Sequence, residues 1–286
     1  MTFRGTPFLR SAASMVAATA LASLALPTTQ ASAVATGVHV RYDFGDHQNI
    51  LEITGTDGDD EIFVEDGVGG VAVSIPFGTW LALDDSTGTC IRTMDNAVAC
   101  PNTLELLDVT LGGGKDKLSW FLTPSGLASL WMGQGRDYVR LYSGVGSPIL
   151  VHGEAGKDVL IANGDAQQST SFWGGRGADL SWGPNQAWGG AGDDRLRAGP
   201  EGTSSSFFGG AGADVLIGRS LDDDLRGGLG PDQIRDNGGD DVIYGGPGSD
   251  VIDSNDGGHD DVNCGPGRDH VNRDWRDVLH LCEVVS

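Results

Sequence analysis

Positive charge is scarce in this chain. Its 286 residues carry 18 Lys and Arg against 40 Asp and Glu, a formal net charge of −22. Setting aside Arg4 and Arg10 makes the remainder −24 (−22 − 2). A surface of that sign repels nucleic acid and anionic membranes and attracts divalent cations. DNA, RNA and membrane insertion are therefore set aside as partners. Catalytic signatures are missing too: there is no H-E-x-x-H, G-x-S-x-G, P-loop or dinucleotide fingerprint. The six histidines, His39, His47, His152, His259, His270 and His280, are scattered. Cysteine is limited to four residues, without a C-x-x-C or Cys/His spacing, which argues against zinc. Beyond residue 33 no run is apolar enough to span a bilayer.

The first 33 residues read as an export signal. Arg4 and Arg10 give a positive start, Ala12 to Leu26 form a 15-residue run of small and apolar side chains, and Pro27 breaks it. Ala31-Ser32-Ala33 supplies an A-x-A cleavage site. An uncleaved anchor is the alternative. The expected location is secreted and extracellular. In that setting four cysteines suggest two disulfides. Sequence proximity favours Cys90–Cys100, closing a hairpin, and Cys264–Cys282, pinning the tail to the last coil.

Glycine is abundant, at 46 of 286 residues, and gathers in a periodic stretch. From Gly209 to Asn272 the chain divides into seven units of nine with one insertion, Ser254. The sixth place is always aspartate: Asp214, Asp223, Asp232, Asp241, Asp250, Asp260 and Asp269. The eighth is always apolar: Leu216, Leu225, Ile234, Ile243, Ile252, Val262 and Val271. Glycines at the head of each unit permit positive φ and a tight turn that bares backbone carbonyls. The aspartate adds a carboxylate, and such hard oxygens are what Ca²⁺ prefers. The last residues of each unit are extended, with the middle one buried. A disordered Gly/Asp-rich tract would not need the apolar eighth position.

This pattern resembles the nonapeptide of RTX (haemolysin-type) calcium-binding proteins, a repeat that general sequence rules also describe. The resemblance is strong over residues 111–286 and looser over 34–110, where the likeness is to secreted actinobacterial repeat proteins. It implies an all-β fold: a right-handed parallel β-roll or β-helix in which two nonapeptides make one turn. Several calcium ions would lie between equivalent loops of adjacent turns. The domains expected are a signal (1–33), a β-rich N-terminal region (34–110), the calcium-binding roll (111–272) and a closing segment (273–286).

Upstream of the strict repeat the loops continue at wider spacing. Asp116, Asp137, Asp158, Asp179 and Asp194 hold the same place, at gaps near two nonapeptides, and lead into Asp214, Asp232, Asp250 and Asp269. These nine loops should form one edge of a single coil. The other edge keeps aspartate only at Asp223, Asp241 and Asp260. The calcium sites should therefore be unequal: up to roughly eight on one edge and about two on the other, by ligation from adjacent turns. A lone unit, Gly55 to Phe63, places Asp60 in the same register as a first loop or first coil. Two apolar columns follow from the register, thinning at Ser181 and Ala187.

The ninth place should face outward and holds Trp131, His152, Trp173, Trp188, Phe208, Arg226 and Tyr244. This is a stacking ladder, a face covered by residues 34–110, or a docking strip for a glycan or protein partner. Near the C-terminus Trp275, Val278 and Leu281 are expected to cover the open end of the last coil, locked by Cys282. The leading functional reading is a calcium-binding structural or interaction protein rather than an enzyme. A β-helical polysaccharide lyase and a cytolysin are the remaining alternatives. Basic loop residues Arg136, Lys157 and Arg176 are the only hint of the former, and no insertion segment supports the latter.

Overall fold

The computed structural model describes residues 37–285 apart from 46–47, 68–69, 77–80, 86–87, 95, 102–103, 122–125, 143–146 and 201–203. The expected export signal lies outside the described residues. Among the described residues there is one short 3₁₀ helix, Gly164–Gln168, and no helix long and apolar enough to cross a membrane. The rest is strand and turn, arranged as a parallel β-solenoid with one 16-stranded and one 14-stranded sheet.

The repeat explains the arrangement. Glycine turns cap short strands, mostly of three to six residues. Each strand finds its partner one full turn away, in parallel register. On one sheet Leu118, Val139, Leu160, Ser181, Leu196, Leu216, Ile234, Ile252 and Val271 pair in sequence, extended upstream by Ile62. On the other, Leu130, Val151, Phe172, Ala187, Phe207, Leu225, Ile243 and Val262 do the same, extended by Val109 and Ile53. All are buried. Side chains alternate across a strand, so a fixed register sends one column inward along the whole rod. At the thin point Ala187 lies between the two large rings of Phe172 and Phe207 on its own sheet. Ser181 buries a hydroxyl with no hydrogen-bond partner.

At the N-terminal end the parallel sheets turn into antiparallel hairpins. Val38–Gly45 folds back on Gln48–Thr54, and Glu61–Gly67, Gly70–Ser74, Ala97–Pro101 and Ile91–Met94 form a meander. The strands Gln48–Thr54 and Glu61–Gly67 also pair in parallel with Leu106–Thr110 and Lys117–Phe121. The rod thus begins within residues 48–67, and hairpins cover its first exposed edge, a standard means of preventing edge-to-edge association. The Cys90–Cys100 disulfide ties strands of the meander, and Cys264–Cys282 ties the last coil to the tail.

The C-terminal end differs from expectation. Trp275, Val278 and Leu281 do not cover it; they are 83%, 42% and 68% exposed. Instead the tail adds one more rung to each sheet, Val278–His280 against Asp261–Asn263 and Val284–Val285 against His270–Arg273. The pairing Val262↔Leu279 fixes the register, so Leu279 packs toward the core and its neighbour Val278 faces out. A one-residue shift exchanges the two faces of a strand, and the sequence pattern was read one place off.

Replacing Phe207 with alanine should lower stability by about 3–5 kcal/mol. Trp275→Ala should change it by less than about 0.5 kcal/mol. Urea unfolding at fixed calcium concentration measures both, and a large loss in the Trp275 variant would contradict the exposed placement.

Candidate metal centre

The loop aspartates sit immediately before a strand, two places ahead of its buried residue. Alternation therefore turns their side chains to the inside, and Asp116, Asp137, Asp158, Asp179, Asp194, Asp214, Asp232, Asp250 and Asp269 are all essentially inaccessible. They form one column. The backbone N–H of each donates to Oδ1 of the aspartate on the next turn, from Asp60 to Asp116 and onward to Asp269. Asp269 ends the series by donating to Glu283 at 3.2 Å. A shorter column on the opposite edge runs from Ser205 through Asp223, Asp241 and Asp260 to Asp277. The sequence thus located both edges and their inequality in length, but it missed Asp277 and Glu283, which close the columns from irregular tail segments.

One carboxylate oxygen per residue is held by these bonds. The other, Oδ2, is buried and lacks any hydrogen-bond partner in Asp116, Asp137, Asp158, Asp179, Asp194, Asp214, Asp232, Asp241, Asp250, Asp260 and Asp269. Buried polar atoms are ordinarily satisfied, so a repeated orphan oxygen marks a place where something outside the chain belongs. Two of the thirteen aspartates singled out from the sequence behave otherwise. Oδ2 of Asp60 accepts from the Thr56 N–H and hydroxyl, and Oδ2 of Asp223 accepts from the Arg219 N–H at 2.7 Å. The chain itself satisfies those two carboxylates.

Glycine stands at the loop head beside most of these carboxylates, with Leu111, Met132 and Cys264 in its place before Asp116, Asp137 and Asp269. A Cβ on Gly174 would lie 2.5 Å from Asp179 Oδ2, and one on Gly245 would lie 2.6 Å from Asp250 Oδ2. Where glycine is replaced at the loop head, the surroundings change. Asp236 heads the loop that ends at Asp241, is 1% exposed, and adds an orphan Oδ2 of its own. Oxygens of Asp236, Asp241, Asp256 and Asp260 all lie within 4.8 Å of one another. Asp236 and Asp256 went unnoticed in the sequence because they occupy the variable or glycine places of their units.

Burial without compensation shows in the acidities. Desolvation raises the carboxyls of Asp116, Asp158, Asp194 and Asp232 to about 7, against backbone hydrogen bonds that lower them. Asp241 is raised to about 8, and Asp250 and Asp260 to about 6, again chiefly by burial. Asp236 is raised to about 9 by burial and then by the charges of Asp256, Asp260 and Asp241. Neighbouring carboxylates reinforce the effect in most of them, since like charges disfavour the ionised form.

The outward ninth positions form a continuous stack. Trp131, His152, Trp173, Trp188 and Phe208 lie face to face, with centroids 4.1, 4.7, 4.9 and 5.6 Å apart. The Arg226 guanidinium lies over both Phe208 and Tyr244, at 5.3 and 4.9 Å from the ring centres. The ring faces are thus taken by one another, leaving mainly edges to solvent. The N-terminal strands extend this sheet at its edge instead of lying across the ladder.

Residues 183–200, 204–225 and 217–252 match the family model of the RTX calcium-binding nonapeptide repeat, in 4 copies. These coils are RTX calcium-binding nonapeptide repeats. No curated protein matches the chain. The RTX match overlaps the stretch where both carboxylate columns are present, and it supports a calcium-binding repeat protein of a family that is generally structural rather than catalytic. The donor set fits the ion: hard oxygens from carboxylates and glycine-turn carbonyls, several to a site. The two disulfides fit an oxidising, extracellular setting.

In calcium-free buffer a proton is the other partner available to these oxygens. A carboxyl whose folded pKa stands above its unfolded value of 3.8 stabilises the fold below about pH 4, and that stabilisation is lost as pH rises through the folded value. The calcium-free chain should therefore lose β-rich signal as pH rises from 5 to 8, and saturating calcium should abolish most of the loss. Circular dichroism at fixed temperature across that range checks it; a calcium-free β-rich signal that grows with pH would contradict the buried columns.

Proposed function

We propose that this is an exported calcium-binding repeat protein whose rod forms when calcium neutralises the stacked carboxylates, and which acts outside the cell as a structural or interaction element. The observation that carries this reading is the column of buried Oδ2 atoms with no partner from the chain. Residues 111–272 are the calcium-bearing roll in this reading, with 34–110 forming its β-rich start and 273–286 its closing segment. The long column takes up to roughly eight ions and the shorter edge about two, each shared by adjacent turns. Residues Asp116, Asp137, Asp158, Asp179, Asp194, Asp214, Asp232, Asp241, Asp250, Asp260 and Asp269 are the carboxylate ligands.

The energetics support calcium-dependent folding. The core is two side chains wide, while ordering each residue costs about 1–2 kcal/mol of backbone entropy. Extracellular calcium sites bind with dissociation constants on the order of 10⁻⁴–10⁻³ M. At ten times such a value each occupied site adds about 1.4 kcal/mol. Several sites acting on one rod decide whether it folds, because metal binding energy is then folding energy. The aromatic ladder fits a structural part in this account, keeping turns in register through ring-on-ring contact. A glycan or protein partner on the strip would have to engage ring edges.

Circular dichroism of the purified chain should show a largely disordered repeat region in EGTA and a β-rich spectrum after calcium is restored. A spectrum that stays the same across the switch would refute the proposal.

A further inference from the structure

We infer that Asp236, Asp241, Asp256 and Asp260 form a cation site of a different kind from the rest of the rod, which binds calcium most tightly and fills first. Elsewhere along the columns a gap between turns is flanked by one buried loop aspartate from each side, and the loop head brings no carboxylate: it is glycine in most loops and Leu111, Met132 or Cys264 in three. Here the loop head is itself an aspartate, and the following loop contributes a second carboxylate in Asp256. Four side chains converge within 4.8 Å, and among the described residues this is the one place where three or more potential ligand side chains do so.

The cluster does not rest on acidity alone. Asp236, Asp241 and Asp260 are 0–1% exposed, each has a carboxylate oxygen in the cluster, and each has a buried Oδ2 with no hydrogen-bond partner. Their other oxygens are fixed by backbone donors: Asn237 N–H to Asp236 at 2.7 Å, Asp223 N–H to Asp241 at 2.6 Å, and Asp241 N–H to Asp260 at 3.0 Å. Asp256 is held from the exposed side by the Gly258 N–H at 3.0 Å. None of the described ion pairs involves these four residues. The site thus brings four carboxyl groups together with no ion-pair partner among the described salt bridges.

Calcium affinity is tuned by ligand charge and rigidity. A pocket of four anchored carboxylates exceeds a gap of two carboxylates plus neutral carbonyls on both counts. Its two loops, 236–241 and 255–260, belong to successive turns of the shorter edge. Loading them first would clamp those turns together and give the neighbouring gaps a formed wall on which to assemble. The inference rests on the reading of the loops as calcium sites, and the experiment separates the two.

The full chain, stripped with chelator, is titrated with calcium chloride in a calorimeter. The wild type should show one early step at least about tenfold tighter than those that follow. Asp256→Asn, at an exposed position, should weaken that step about tenfold or more, and Asp236→Asn should remove it. Asp232→Asn, on the long column, should leave the early step in place and reduce the later uptake. Circular dichroism at saturating calcium should match the wild type for Asp256→Asn, so that the effect is not one of unfolding. An early step that survives both Asp236→Asn and Asp256→Asn overturns the inference, as does uptake in a single undivided class. A wild type that takes up no calcium overturns the wider calcium reading as well.

Discussion

Uncompensated negative charge, repeated at each turn along the interior of a narrow rod, is the constraint on which this structure depends. Alternation along the strand places the loop carboxylate and the apolar eighth residue on the same side, so the core cannot close without bringing the aspartates in. Stacking then brings those aspartates together, each carboxylate accepting a hydrogen bond from the preceding turn's backbone. A chain with 40 acidic and 18 basic residues has too few cations of its own to neutralise them, and its described ion pairs lie on the outside. The chain thus leaves these carboxylates without a counter-charge of its own, which fits calcium-binding repeats.

Most of the architecture was legible because one period controls it. Once the sixth and eighth places were in register, the two apolar columns, the inward carboxylates and the outward aromatics followed by alternation, and every pairing from Leu118 to Val271 agrees. The two disulfides followed from proximity alone. What escaped lies where the period fails. In the tail no glycine loop sets the register, and the inward place falls to Leu279 rather than the expected Val278. The closing residues Asp277 and Glu283 belong to no repeat unit.

The candidate site was readable in its regular members and not in its exceptions. Asp60 and Asp223 carry the right residue in the right place, yet Thr56 and the Arg219 amide already satisfy them. No spacing rule could reveal that, because it depends on how the loop backbone curls. Conversely, Asp236 and Asp256 violate the repeat at glycine or variable positions, and a consensus reading discards such violations as noise. Their importance comes from convergence across two turns, which is a fact of three dimensions. The ladder from Trp131 to Phe208 lies between these cases: its outward placement was clear, but only the ring spacings show that the faces are occupied by each other.

The amide-to-carboxylate bonds all point the same way along the rod, from each aspartate to the one that follows it in the chain. An amide on one turn therefore waits for an acceptor that arrives only with the next. A polypeptide emerging from its amino end, with hairpins already shielding the first edge, would lengthen like a zipper whose slider moves in a single sense. The Cys264–Cys282 bond stands where that slider stops, and holds the final tooth against the tail.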